Sequence, residues 1–178
     1  MFQEFTTNRL LLRPLTFSDA KAFLEMHSGT KINRFLRNPI VSLTDSVNYL
    51  DKIINEHQKN EIARFAVILK EKNELIGFSG LKLRATEENG YSNFYDLGYR
   101  FAEKHWNKGY ATEAAQFWIT YGLKSLKLPE IHACADNENR ASNHLLEKVG
   151  FKKINQYIVN NTLHNWYKIK KDEFEPQI

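Results

Sequence analysis

Glu103-Lys104-His105-Trp106-Asn107-Lys108-Gly109 is a short turn, with two lysines and one glycine, that opens onto a helix-like run beginning at Tyr110. The first turn of a helix carries N–H groups with no intrahelical partner and the positive end of the helix dipole, so a pyrophosphate fits over Lys108 to Thr112. Gly109 would let the backbone approach the phosphates, Ala111 would keep the turn uncrowded, and Lys104 or Lys108 would add point charge. A glycine that only starts a helix gives the same letters, and neither a Walker A nor a GxGxxG pattern is present. A second chemistry is open at His132 and Cys134, which share one face of a later strand-like run and could form a thiol/imidazole pair. An unpaired cysteine is also a small hydrophobe suited to a core. With a single cysteine and no CxxC or HExxH spacing, neither an internal disulfide nor a metal site is expected.

The elements that must position these residues follow from periodicity. The chain of 178 residues is 42% hydrophobic, with only eight glycines and four prolines, which predicts a single packed domain over 1–178. The net charge of +4 is spread along the chain, so a solvated basic face is expected and nucleic acid is not a partner. The longest apolar run, Phe65 to Leu69, is too short for a bilayer, and the opening MFQEFTTNRL lacks a signal-peptide core, so a soluble cytoplasmic protein without membrane partners is expected.

Arg9 to Arg13 reads as a strand closed by Pro14, and Thr16, Ser18 and Asp19 offer caps for a helix carrying Ala20, Phe23, Leu24 and His27. Thr44 or Asp45 caps a second helix with a Val47, Leu50, Ile54 stripe. Phe65–Leu69 and Leu75–Leu83 form an antiparallel hairpin, and the aromatic run Phe94–Phe101 is the next strand. Ala111, Ala114, Ala115, Trp118 and Gly122 then fall on one face of a helix, small enough to lie close on a sheet. A strand at Ile131–Ala135 precedes a helix with Leu145, Leu146 and Val149 inward, stopped by Gly150. Phe151–Val159 and Leu163–Lys170 close the chain as strands joined at Asn160-Asn161. The expected architecture is α+β, with a mixed, mostly antiparallel central sheet of about seven strands and helices on both faces.

This order of elements, the block DLGYRFAEKHWNKGYATEA from Asp96 to Ala114 and the block NRASNHLLEKVGF from Asn139 to Phe151 closely resemble the GNAT superfamily of acyl-CoA-dependent N-acetyltransferases. The opening TNRLLLRPLTFSDA and the Trp before Lys-Gly-Tyr-Ala-Thr-Glu-Ala look like its ribosomal-protein N-terminal acetyltransferase-like branch. The resemblance implies acetyl-CoA as cosubstrate and an acceptor amine on a small molecule or a protein N-terminus, with the enzyme a monomer or homodimer. The pyrophosphate loop then matches at Lys108, Gly109, Tyr110 and Ala111, with Thr112 following, and departs at Trp106, which stands in place of a cationic or amide side chain and is expected to pack the loop. The resemblance further implies that the strand before the loop splays from its neighbour, so that pantetheine pairs with the backbone of Tyr99, Arg100 and Phe101.

The implied reaction is direct attack of a neutral amine on a thioester, which needs a proton acceptor, a donor for charge on the carbonyl oxygen and a proton for the leaving sulfur. A backbone N–H near Phe101 would serve the oxygen. Many members place an acidic Tyr where this chain has Leu146, so by resemblance the proton falls to Ser142, whose alternative is first-turn helix polarity. Asn139 and Asn143 would hold pantetheine amides, with capping as the other reading for Asn139. Asp96 matches a carboxylate the branch often carries and is the candidate base, through water; pairing with Arg100 or facing solvent is the alternative. Glu113 is expected to complement the helix dipole, and Phe35 and Trp166 to wall the acceptor site or to pack the core. A non-catalytic acyl-CoA-binding module of the same fold is the rival reading, favoured by the missing Tyr at Leu146.

Overall fold

The computed structural model describes residues 3–36, 39–60 and 62–174. It is an α+β protein with an open, mostly antiparallel sheet of eight strands in the order β1-β2-β3-β4-β5-β6-β8-β7. The strands are β1 (Phe5–Thr6), β2 (Leu10–Pro14), β3 (Arg64–Leu69), β4 (Glu74–Arg84), β5 (Phe94–Phe101), β6 (Glu130–Asp136), β7 (Lys152–Val159) and β8 (Thr162–Lys170). Four α-helices accompany them among the described residues: α1 (Ala20–Met26), α2 (Leu43–Asn60), α3 (Tyr110–Thr120) and α4 (Arg140–Lys148). The seven expected strands are all present; β1 is the addition, two residues that periodicity is too short to reveal. No helix among the described residues is long and apolar enough to cross a membrane. The chain forms two compact units, Met1–Gly80 with Tyr99–Ala114 and Leu81–Gly98 with Ala115–Ile178.

In the first unit, β2 pairs antiparallel with β1 and β3, and every residue of β3 is buried, which is why its sequence is apolar on both faces of the strand. Thr16 and Asp19 form a capping box ahead of α1, and the Asp19 carboxylate also takes Arg13 Nη2 at 2.6 Å. The second helix starts differently from expectation. Ser42 is its cap: Ser42 Oγ accepts from Asp45 N at 3.1 Å, while Asp45 Oδ2 reaches back to Ser42 N at 3.0 Å. Its buried face carries Ser46, Leu50, Ile53 and His57, one residue round from the expected stripe, so Val47 is exposed. Ser46 joins the core because its hydroxyl donates to Ala20 O at 2.7 Å.

In the second unit, β8 lies between β6 and β7, and the β7–β8 turn has Asn160 and Asn161 at φ +49° and +63°, the left-handed pair that a two-residue hairpin needs. The small-residue helix face is used as expected at Gly122, where a Cβ would come within 2.7 Å of Ile131 Cδ1 and 2.8 Å of Leu81 Cδ1.

A close approach in the first unit is at Gly77 on β4, where a Cβ would lie 2.5 Å from Arg100 O and 2.6 Å from the Phe101 ring. Backbone cannot yield as a side-chain tip can. Gly77→Ala is therefore expected to cost about 1–3 kcal/mol, read as a lower urea midpoint at unchanged slope; an unshifted midpoint would mean that β4 and β5 separate at no cost.

Candidate active site

The first unit holds the turn that the sequence singled out. Glu103–His105 is a single 3-10 turn, after which Trp106 turns its indole back so that Nε1 donates to Phe101 O at 2.7 Å. Trp106 thus packs the loop, as expected. Asn107 and Gly109 both have left-handed backbone, at φ +58° and +79°. Two reversals within three residues bring the chain abruptly into α3, whose first hydrogen bond runs from Glu113 N to Gly109 O at 3.0 Å. Helix geometry leaves the N–H groups of Tyr110, Ala111 and Thr112 without intrahelical acceptors.

What holds this loop is a clasp that sequence reasoning missed. Glu113 Oε1 accepts from Thr7 Oγ1 at 2.6 Å and from Arg9 N at 2.7 Å, and its Oε2 takes Arg9 Nε at 2.7 Å. Arg9 Nη1 goes on to donate to Lys108 O at 2.9 Å, and its guanidinium lies 4.5 Å from the centre of the Tyr110 ring. Glu113 therefore clamps β2 to the loop rather than merely answering the helix dipole. Burial works to raise its pKa, but the hydrogen bonds from Thr7 and Arg9 outweigh it and hold the carboxyl below the usual glutamate range. Of the two lysines, Lys104 is ion-paired with Glu74, while Lys108 is exposed.

Tyr99, Arg100 and Phe101 end β5 in the same unit. Arg100 does not meet Asp96; its Nη1 donates to His27 Nε2 at 2.9 Å. Phe35 is half-buried, with the Arg34 guanidinium 5.2 Å from its ring centre.

In the second unit, Asp96 is buried and accepts from Arg84 Nε at 3.2 Å and Nη2 at 3.0 Å, so its partner is Arg84 on β4. The pairing of β5 with β6 is parallel and is registered at Asp96 opposite His132. Asn139 caps α4, its Oδ1 accepting from Ser142 N at 3.2 Å, so the capping alternative describes it. Asn143 is engaged within the fold. Its Nδ2 donates to Asp136 O at 2.9 Å and Asn139 O at 2.8 Å, and its Oδ1 accepts from Asn165 Nδ2 and Tyr167 Oη, both at 2.8 Å. A side chain with its donors and acceptor lone pairs so engaged braces the entry to α4. Ser142 is half-buried in the first turn of that helix, and Leu146 is core.

The thiol/imidazole pair does not form. His132 Nδ1 accepts from Trp166 Nε1 at 3.0 Å, so the proton sits on Nε2, which faces Glu130 Oε1 at 2.8 Å. Burial, foremost, and the Asp96 charge push the Cys134 thiol up to about 11, the wrong direction for a nucleophile. Trp166 is core: its ring stacks on Tyr91 at 5.6 Å and meets Phe94 and Tyr157 edge-on.

The chain matches the sequence model described as the acetyltransferase (GNAT) domain over residues 9–152. It is 32% identical over 148 residues to the uncharacterized N-acetyltransferase p20 of Bacillus licheniformis, covering 83% of this chain and 81% of that protein. Spermidine N(1)-acetyltransferase of Escherichia coli K12 is 23% identical over 86% of this chain and 81% of its own length. Among solved structures, a GNAT-family acetyltransferase from Bacillus anthracis superposes with a TM-score of 0.81 at 28% identity, over 96% of this chain and all (100%) of that one. Ribosomal-protein-S5-alanine acetyltransferase from Vibrio fischeri shares the fold, with a TM-score of 0.77 at 19% identity over 98% and 100% of the two chains. The chain belongs to the GNAT family of N-acetyltransferases.

The clasp has a pH signature. A carboxyl held below its unfolded pKa contributes stability that is complete above about 4.3 and is lost as pH falls through the lower folded value. Glu113→Gln should therefore be less stable than the parent protein at pH 7, with the gap closing only as pH drops through the acid range. Urea midpoints at pH 7 and pH 3 measure it, and an equal gap at both would remove ionisation from the account.

Proposed function

We propose that this chain moves an acetyl group from acetyl-CoA to a primary amine, on a small molecule or a protein N-terminus, with the whole of 1–178 acting as one acetyltransferase domain. The observation that carries the reading is the doubly left-handed turn at Asn107 and Gly109, clamped by Arg9 and Glu113 at the start of α3. It is a cradle for an anion: the N–H groups of Tyr110, Ala111 and Thr112 converge by helix geometry, and exposed Lys108 adds charge. Lys104 spends its charge on Glu74 and contributes less. The backbone of Tyr99, Arg100 and Phe101 would bind the pantetheine amides by strand addition. When bound, acetyl-CoA supplies the thioester.

The chain's own residues then have three tasks. Asp96, charge-paired with Arg84, draws the proton from the incoming ammonium through water, leaving a neutral amine to form the new C–N bond. A β5 N–H near Phe101 steadies charge on the carbonyl oxygen. As the C–S bond breaks, the Ser142 hydroxyl gives the sulfur its proton and is reprotonated, through water, by the N–H proton that the new amide nitrogen sheds. Asn139 and Asn143 support this step by fixing the first turn of α4, in which Ser142 lies.

Gly109→Glu sets bulk, negative charge and an unfavourable positive φ where the pyrophosphate would lie. It should weaken CoA binding by at least ~1.4 kcal/mol, a factor of ten, in calorimetry on the folded variant; unchanged affinity would move the cofactor elsewhere. Ser142→Ala should lower kcat roughly ten- to a hundredfold at nearly constant acetyl-CoA affinity, because its bond matures in the transition state. Asp96→Asn should be most impaired below the acceptor amine's pKa and partly rescued at high pH. A kcat/KM profile against pH separates them: a pH-independent loss assigns Asp96 to structure, and full activity in the serine variant leaves solvent as the proton donor. Tight CoA binding without turnover of any amine would instead support a non-catalytic module.

A further inference from the structure

Among the described residues Arg100 is a cation without an anion. Its guanidinium sits over two aromatic rings of the first unit, 5.2 Å from the centre of Phe78 and 5.6 Å from that of Tyr49. Its hydrogen-bond partners among the described residues are neutral: His27 Nε2 at 2.9 Å and the Tyr49 hydroxyl. His27 is held neutral there at pH 7. Its Nδ1–H donates to Phe23 O at 2.6 Å, and burial, with Arg100 nearby, pushes its pKa down to about 4, so Nε2 offers a lone pair. Among the described residues the other ionic neighbour acting on Arg100 is Arg64, of the same sign, whose Nη1 donates to Gly80 O. The other arginines described above as ion-paired, Arg9, Arg13 and Arg84, each meet a carboxylate.

A guanidinium has five N–H donors in a rigid fork, and taking it largely out of water without a counter-charge is costly. Here the cost is accepted while the fork is held by a locked imidazole and two rings, which leaves donors for a bidentate acceptor. Arg100 lies between Tyr99 and Phe101, the backbone assigned above to the acyl donor, and it remains partly open to solvent. We propose that Arg100 binds the carboxylate of the acceptor, so that the amine acetylated by this enzyme is a small amino-carboxylate such as an α-amino acid. The inference rests on the acetyltransferase reading. A polyamine, cationic along its length, would meet Arg100 and Arg64 as repulsion, although a relative of this chain carries the name of a spermidine acetyltransferase.

The test compares kcat/KM, at saturating acetyl-CoA, for L-alanine, L-glutamate and L-phenylalanine with that for their carboxamides, for spermidine and for a neutral tripeptide. The unmodified protein should favour at least one acid over its own amide by at least ~10-fold. Arg100→Gln should bring that ratio to near one, whatever the change in absolute rate, and Arg100→Lys, which keeps charge but not the fork, should fall between. Spermidine, the tripeptide or the amides outpacing every acid would overturn the proposal, as would a ratio that survives in Arg100→Gln. Should no amine turn over, the acetyltransferase reading fails by itself. Calorimetry of the three amino acids on CoA-loaded protein then decides the anchor: binding lost in Arg100→Gln supports it, and no binding, or equal binding, overturns it.

Discussion

The Glu113 carboxylate is the constraint on which the functional part of the first unit rests. One side chain gathers the Thr7 hydroxyl, the Arg9 amide and the Arg9 guanidinium, and through Arg9 it reaches the carbonyl of Lys108. The left-handed backbone at Asn107 suits an asparagine, and its surroundings fix it further. The clasp does that from the helix side and the Trp106 indole on Phe101 O does it from the strand side. Between these two anchors the turn keeps its shape before any ligand arrives, which is what an anion cradle built from backbone N–H groups requires.

Ionisable groups are distributed on the same principle. Two buried histidines have both ring nitrogens engaged, His27 between Phe23 and Arg100 and His132 between Trp166 and Glu130, and burial lowers the pKa of each. Asp96 is buried against Arg84, and Cys134 is kept as a thiol by burial beside that carboxylate. Beside these matched groups stand the exposed Lys108 in the loop and the Arg100 guanidinium over its two rings. Both lie at or beside the β5-to-α3 segment, where a family that handles a charged acyl donor and an amine acceptor needs its specificity.

Most elements were legible because each is announced by a local signal. The apolar runs of β3 and β4, the small residues of α3, Gly150 after α4 and the Asn160-Asn161 turn are signals that neighbouring residues give by themselves. The family likewise followed from two blocks contiguous in the chain. Local signals fail where two solutions are close in energy: Ser42, Thr44 and Asp45 can all cap a helix, and only packing on α1 set the α2 face one residue round.

The sequence by itself determined the family and with it the class of reaction, since both are carried by residue types within two short blocks of chain. Which charge meets which was decided only by tertiary structure. Glu113 finds Arg9 across 104 residues, Asp96 takes Arg84 instead of the Arg100 four positions away, and Asn143 is consumed by Asn165 and Tyr167. A side chain's partner is fixed by which strands and helices lie side by side, and that register is a property of the whole fold. Arg100 therefore reads in the sequence as one more basic strand residue, and becomes a candidate ligand-binding group only once His27, Tyr49 and Phe78 have closed around it without an acid.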